Sequence, residues 1–267
     1  MMKRTRAVEG SEGHAGIGRR ALLGRAVGAA ATLVVSQSML SCSADAAGLS
    51  YDDSDNGEGD GTGVGSATCV LTAALTEGPY FVDERLNRSD IRADPVTGAV
   101  STGVPLALTF NVSRVENSAC TPLTGAYLDA WHCDSAGVYS DVGGAGSGRR
   151  FLRGYQITDA AGVARFTTIY PGWYTGRAVH VHFKLRLIAG STTTYDFTSQ
   201  FFFDESLTDT VHALSPYSSK GRRDRLNTTD GIYNSLSATE KSALTLQTAS
   251  DGSGGYTGVI HLGVRVG

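Results

Sequence analysis

Apolar and polar residues alternate with a period of two along Val104–Val115, Gly125–Cys133, Gly162–Tyr170, Val179–Ile188, Tyr195–Phe203 and Thr257–Val266. Such alternation lets a strand bury one face and solvate the other, so each stretch is predicted to be a strand. The polar segment Glu116–Thr121 reads as the turn between the first two. Short strands at regular intervals, divided by Gly- and Asp-bearing turns, predict an all-β fold: a β-sandwich of mostly antiparallel strands. Helix signals are few and short. The best is Ser237–Leu246, where Ser-Ala-Thr-Glu supplies the residues of a capping box. No heptad run, phosphate loop or internal repeat is present.

Composition adds an asymmetry. The chain has 267 residues, enough for one domain with a full core, and its formal charge of −3 does not point to nucleic acid. Residues 1–41 hold six basic residues (Lys3, Arg4, Arg6, Arg19, Arg20, Arg25) and two acidic ones (Glu9, Glu12), leaving the remainder near −7. Arg19-Arg20 precede a weakly apolar run, Ala26 to Val35, that is too short to anchor stably across a bilayer. A twin arginine in that position resembles a Tat-type export signal, here assigned to residues 1–42. Ser38-Met39-Leu40-Ser41-Cys42 is an imperfect match to a lipoprotein cleavage box, which would put a lipid anchor on Cys42. Residues 43–66 carry Asp45, Asp52, Asp53, Asp55, Glu58 and Asp60 among Gly and Ser, with no basic residue, and are expected to form an acidic tether. The folded domain is expected over 67–267.

Three further cysteines remain. An oxidising compartment favours one disulfide and one odd thiol. A strand from Leu123 to Trp131, at about 3.3 Å per residue, would hold Cys120 and Cys133 too far apart to bridge. The bond is therefore expected from Cys69 to one of these two.

Candidate chemistry begins at His180-Val181-His182. On a strand both imidazoles share a face, at a spacing suited to one metal, while Val179, Val181 and Phe183 point into a core. Taken alone, the pattern also fits copper–zinc sandwiches and cupins. Tyr174, in Pro171-Gly172-Trp173-Tyr174, and Tyr139, on a Gly turn after a strand, add two phenols. Two phenolates and two neutral imidazoles would leave iron(III) with a single positive charge and favour the ferric state. Each tyrosine by itself reads better as a packed aromatic with its hydroxyl hydrogen-bonded.

The segments carrying these residues resemble a known family. Leu128-Asp129-Ala130-Trp131-His132-Cys133-Asp134-Ser135-Ala136-Gly137-Val138-Tyr139 resembles the first-tyrosine segment of intradiol ring-cleavage dioxygenases. Thr168-Ile169-Tyr170-Pro171-Gly172-Trp173-Tyr174 resembles their second, and Arg177-Ala178-Val179-His180-Val181-His182-Phe183 their Arg-x-x-His-x-His-Phe signature. Thr198-Ser199-Gln200-Phe201-Phe202-Phe203 and Glu77-Gly78-Pro79-Tyr80 are similar to pocket segments of the family. The likeness runs from about Cys69 to the C-terminus. It implies iron(III) held by Tyr139, Tyr174, His180 and His182, and ring opening of catechols by O2 between the two hydroxyl-bearing carbons to give muconate-type products. It implies that Tyr174 leaves the metal and acts as a base, that Arg177 stabilises anionic charge, and that Gly78, Pro79, Tyr80 and Gln200 line the pocket. The connection from Tyr174 to Arg177 is shorter than in the cytoplasmic catechol and protocatechuate enzymes, and their helical N-terminal dimerisation region is missing. Both features resemble the secreted single-polypeptide branch and leave the oligomeric state open.

Two readings compete. A copper or zinc sandwich would want further His or Cys ligands; a cupin would want a Glu where Phe183-Lys184-Leu185-Arg186 stands. A non-catalytic exported transthyretin-like binding module explains the fold and the acidic body, but not two tyrosines and two histidines in this order. His132, His212, His261 and Asp204-Glu205 read as structural or surface residues, Cys133 as an unactivated thiol, and Arg222-Arg223 with Arg225 as solvated charge.

Overall fold

The structure is a computed structural model and describes residues 70–117 and 119–266. The expected export signal over 1–42, the lipid site at Cys42 and the tether over 43–66 lie outside these residues. Nine strands are present among the described residues: β1 (Pro105–Glu116), β2 (Ala119–Pro122), β3 (Tyr127–Trp131), β4 (Arg153–Ile157), β5 (Val163–Ile169), β6 (His180–Ala189), β7 (Thr192–Phe202), β8 (Gln247–Ser250) and β9 (Tyr256–Val264). Three short helices join them: α1 (Glu205–His212), α2 (Gly231–Asn234) and α3 (Ala238–Ala243).

Two sheets make the sandwich. In the first, β1 is the spine. One edge of β1 pairs antiparallel with β5 and then β2; the other pairs with β9, which carries β8 beyond it. The second sheet has the order β4-β3-β6-β7, antiparallel throughout. Alternate residues of β1 (Leu106, Leu108, Phe110, Val112) are buried in one core with Val181, Phe183 and Leu185 of β6. Phe110 meets Phe166, Phe183 and Phe201 edge-on, with ring centroids 5.8–5.9 Å apart. Because β6 turns Val181 and Phe183 into this core, parity sends His180 and His182 to the outer face of the second sheet.

The structure departs from the sequence expectations in several places. β1 and β9 run parallel, an exception to the antiparallel pattern. The segment read as a polar turn after β1 includes β2, an edge strand whose four residues are all exposed, so it shows no alternation. β4 buries Arg153 and Gly154, positions an apolar count passes over. α1 was not expected; it starts at Asp204, whose carboxylate accepts the Leu207 N–H at 2.9 Å, an ordinary N-cap. α3 has the expected capping box between Ser237 and Glu240, but ends at Ala243. Cys133 is a free buried thiol and Cys120 is disulfide-bonded, so the partner of Cys120 lies outside the described residues.

Phe110 is fully buried at the meeting of both sheets. Phe110→Ala is expected to lower unfolding free energy by about 3–5 kcal/mol, read from denaturant midpoints at constant slope. A loss under about 1 kcal/mol would mean the two sheets do not depend on this contact.

Candidate active site

The register of the second sheet builds the centre. His182 lies opposite Trp131 on β3 and opposite Gln200 on β7. Directly paired residues share a face, so Trp131, His182 and Gln200 form a row across three strands. The indole of Trp131 stacks on the His182 imidazole, 4.9 Å between centroids and 9° between planes. His180, two residues earlier, shares the face.

Two loops bring phenols over this row. The first follows β3. The Asp134 carboxylate accepts the N–H groups of Ala136 and Val138 at 2.9 Å each, closing a tight turn that presents Tyr139. The second is 170–174, pinned to the first by the Gly172 N–H, which donates to the Asp134 carbonyl at 3.1 Å. The loops touch backbone to backbone. Gly137 has φ +81°, and a Cβ there would lie 2.1 Å from the Trp173 carbonyl oxygen, so only glycine fits.

Four donor atoms converge as a result. His180 Nε2 lies 3.1 Å from His182 Nε2, 3.3 Å from the Tyr174 hydroxyl and 3.4 Å from the Tyr139 hydroxyl. His180 donates its Nδ1–H to the Ala178 carbonyl at 2.6 Å, which leaves the lone pair on Nε2, aimed at the other three groups. His182 Nδ1 is buried without a partner. Burial, with the Arg177 charge, depresses His180 to about 3; burial and the His180 ring push His182 well below the imidazole range. Burial raises Tyr174 to about 12 and Tyr139 well above the ordinary phenol value, while Arg177 pulls the other way on both. The bare protein therefore keeps all four groups neutral at pH 7.

A metal cation suits this donor set. It would accept both imidazole lone pairs and let the phenols ionise against burial. Among the described residues no group of three or more His, Cys, Asp or Glu is placed to hold a metal. Among the described residues, the further donors that accompany His180 and His182 are the Tyr139 and Tyr174 hydroxyls.

Arg177 lies beside the cluster, in a network the sequence reading did not foresee. Its Nε donates to Asp230 Oδ2 at 2.8 Å and its terminal nitrogen to Gln200 Oε1 at 2.6 Å; Gln200 in turn donates to the Thr76 carbonyl at 2.7 Å. Asp230 is buried, and it also accepts the N–H groups of Ala178, Ile232 and Tyr233. Burial opposes its ionisation, but the Ala178 and Tyr233 bonds and the Arg177 guanidinium hold its carboxyl below the usual range. Asp230 carried no motif; its signal was only that of an N-cap residue before Gly-Ile-Tyr, 53 positions from Arg177.

Of the expected pocket residues, Tyr80 stacks on Tyr139 (4.5 Å, 26°) and meets Tyr174 edge-on at 5.9 Å. Gly78, at φ +68°, sits over His182: a Cβ there would lie 3.5 Å from the ring. Pro79 is exposed. His132 is structural, with ring nitrogens on the Cys133 carbonyl (2.8 Å) and the Thr168 hydroxyl (2.7 Å), and burial lowers it to about 4. Burial raises the Cys133 thiol to about 12, so it is inert. Arg223 is not solvated: it pairs with Glu205 and Asp209 and is 4% exposed.

The fold and its buried imidazole–phenol centre define a class, and comparison with known proteins gives the family. The dioxygenase family model matches residues 76–226. An intradiol ring-cleavage dioxygenase from Tetranychus urticae is 29% identical, with 74% of this chain and 95% of that chain covered and a TM-score of 0.63. The dioxygenase domain of a dioxygenase–carbohydrate-binding fusion from the cellulolytic bacterium Streptomyces sp. SirexAA-E is also 29% identical, covering 74% and 100% at a TM-score of 0.52. Hydroxyquinol 1,2-dioxygenase from Pseudomonas putida shares the fold at 15% identity, covering 74% and 67%, with a TM-score of 0.50. Curated proteins give no significant match. The chain belongs to the intradiol ring-cleavage dioxygenase family and is an enzyme of the oxidoreductase class.

Removing the Asp230 charge should leave Arg177, 18% exposed, without its ion-pair partner. Asp230→Asn is expected to cost on the order of 3 kcal/mol and to lower turnover as Arg177 loses its direction. Since the folded-state carboxyl is depressed, its contribution is present above the unfolded value near 4 and fades as pH falls below it. The variant should therefore lose less stability than wild type between about pH 5 and 2. Parallel pH–stability curves would show that the pair carries none of the effect.

Proposed function

We propose that the protein is a non-haem iron(III) dioxygenase that cleaves catechol-type rings between the two hydroxyl-bearing carbons, with Tyr139, Tyr174, His180 and His182 as the metal ligands. The observation that carries this reading is the convergence of two phenols and two imidazoles at 3.1–3.4 Å around His180 Nε2. Bound there, iron(III) would withdraw electron density from a catecholate and make its ring reactive towards dioxygen. The chain's own residues supply the rest. Arg177 favours the phenolates and faces negative charge that develops on the substrate, held in place by Asp230 and Gln200. Tyr174 is half-buried on its loop, while Tyr139 is 4% exposed beneath Tyr80. That difference supports Tyr174 as the group that yields to substrate and takes a catechol proton at its hydroxyl oxygen.

The ligand assignment is tested by comparing iron content, visible absorbance and turnover. Tyr139→Phe and His180→Ala are each expected to lose iron and tyrosinate-to-iron absorption together. Tyr174→Phe is expected to keep most of its iron while turnover falls. A colourless, fully active wild type, or equal iron loss in both tyrosine variants, would contradict the assignment.

The charges around the centre bear on substrate choice. Lys184, on the strand face of the histidines, is bound to Glu77 at 2.6 Å and Asp196 at 3.1 Å and lies over the Phe81 ring. Arg186 bridges Asp83 and Asp129, and Arg177 is paired with Asp230. Each cation of this segment already has a carboxylate partner, so a carboxylate on the substrate gains little. Catechol, 4-methylcatechol and hydroxyquinol are expected to give muconate-type products with no strong preference for protocatechuate. A kcat/KM ratio favouring protocatechuate by more than about 1.4 kcal/mol, or tenfold, would refute this.

A further inference from the structure

The loop that carries Tyr174 has no regular secondary structure, yet side chains from elsewhere hold each of its carbonyls from Tyr170 to Trp173. The Tyr170 carbonyl accepts the Tyr217 hydroxyl at 2.7 Å, and the Pro171 carbonyl accepts His212 Nε2 at 3.0 Å. The Gly172 carbonyl accepts the Cys133 thiol at 3.4 Å, and the Trp173 carbonyl accepts Lys220 Nζ at 2.5 Å. The Trp173 indole N–H closes the set on the Gly221 carbonyl at 3.2 Å. Three of these partners, Tyr217, Lys220 and Gly221, come from one short stretch around the 3-10 turn Tyr217–Lys220.

Lys220 differs from the others because, from a third segment, one donor reaches both tyrosine loops. The same ammonium donates to the Ala136 carbonyl at 2.5 Å and lies 4.7 Å from the centroid of the Trp173 ring. It sits where Gly137 and Trp173 meet: a Cβ on Gly137 would lie 2.3 Å from Nζ. We propose that Lys220 is a positioning residue: one ammonium bound to both tyrosine loops sets the separation of the Tyr139 and Tyr174 hydroxyls. Two bonds from a charged donor are stronger than the neutral ties that also join the loops, namely the Gly172–Asp134 backbone bond and the Cys133 thiol, and no strand or helix fixes their distance. The proposal rests on Tyr139 and Tyr174 being ligands of one metal.

The test uses the full chain with Lys220→Met, which keeps most of the stem and removes the ammonium. Amide hydrogen exchange, read by peptide with and without iron, is expected to rise about tenfold or more in both 134–139 and 171–174 and to stay unchanged in β6. In iron-loaded protein the tyrosinate absorption is expected to shift and broaden. Turnover should fall about 10- to 100-fold through kcat, with KM within about twofold. Lys220→Cys alkylated with 2-bromoethylamine restores an ammonium of nearly the same reach, and is expected to recover both absorption and kcat. Exchange that rises in one loop alone or in neither, or alkylation without recovery, overturns the proposal. If Lys220→Met does not fold, Lys220→Arg keeps the charge with a different reach, and an unshifted band in that variant overturns it equally. A wild type without tyrosinate absorption would instead fail the ligand assignment, and the exchange data, which need no iron, would still decide whether Lys220 couples the loops.

Discussion

Four polar side chains that cannot easily carry charge are packed around one point. His180 and His182 are 2% and 1% exposed, and Tyr139 is 4% exposed. Burial pushes the imidazoles towards their neutral forms and the phenols towards theirs. The Tyr139 and Tyr174 hydroxyls and His182 Nε2 crowd within 3.4 Å of the lone pair on His180 Nε2, and His182 Nδ1 has no protein partner. Buried polar groups in that state are costly. A cation at their meeting point would bind both Nε2 lone pairs and both phenol oxygens, and much of the surrounding structure serves to hold them in that arrangement.

The two histidines stand on the most firmly held part of the fold. β6 is a central strand, paired on both sides, with Val181 and Phe183 locked in the shared core. The tyrosines stand on loops, and these loops are tied by glycine contacts, by the Asp134 turn and by side chains from 212–221 instead of by a sheet ladder. The imidazoles are thus fixed by a sheet ladder and the phenols by side-chain ties. Arg177 is oriented by a buried network through Asp230 and Gln200, and its own backbone N–H donates to the Tyr174 carbonyl at 3.5 Å.

What was legible in the sequence follows from which constraints are local. The parity of His180 and His182 could be counted, because alternation along a strand needs no tertiary knowledge. The six long alternating strands were visible for the same reason. β2, β4 and β8 were not: β2 is exposed on every residue, β8 has four residues and none buried, and β4 buries an arginine and a glycine. The parallel pairing of β1 with β9 joins distant parts of the chain and leaves no local mark. Tyr139 and Tyr174 stood out only through the likeness of their segments to a family; neither loop has a periodicity to read. Asp230 and Lys220 act across 53 and 84 residues, through a helix N-cap and a turn of ordinary composition, and nothing local separates them from other capping and loop residues.

The central claim is that the two phenols and the two imidazoles together form one metal site, with the phenols ionised by the metal. The most direct measurement is a titration of metal-free protein with iron near pH 7, following the ultraviolet absorption of tyrosinate against metal bound. With both phenols held neutral by burial in the bare protein, the account predicts two tyrosinates formed for each iron bound, saturating at one iron per chain. Iron bound through the histidines without ionisation of either tyrosine, or no binding at all, would contradict it.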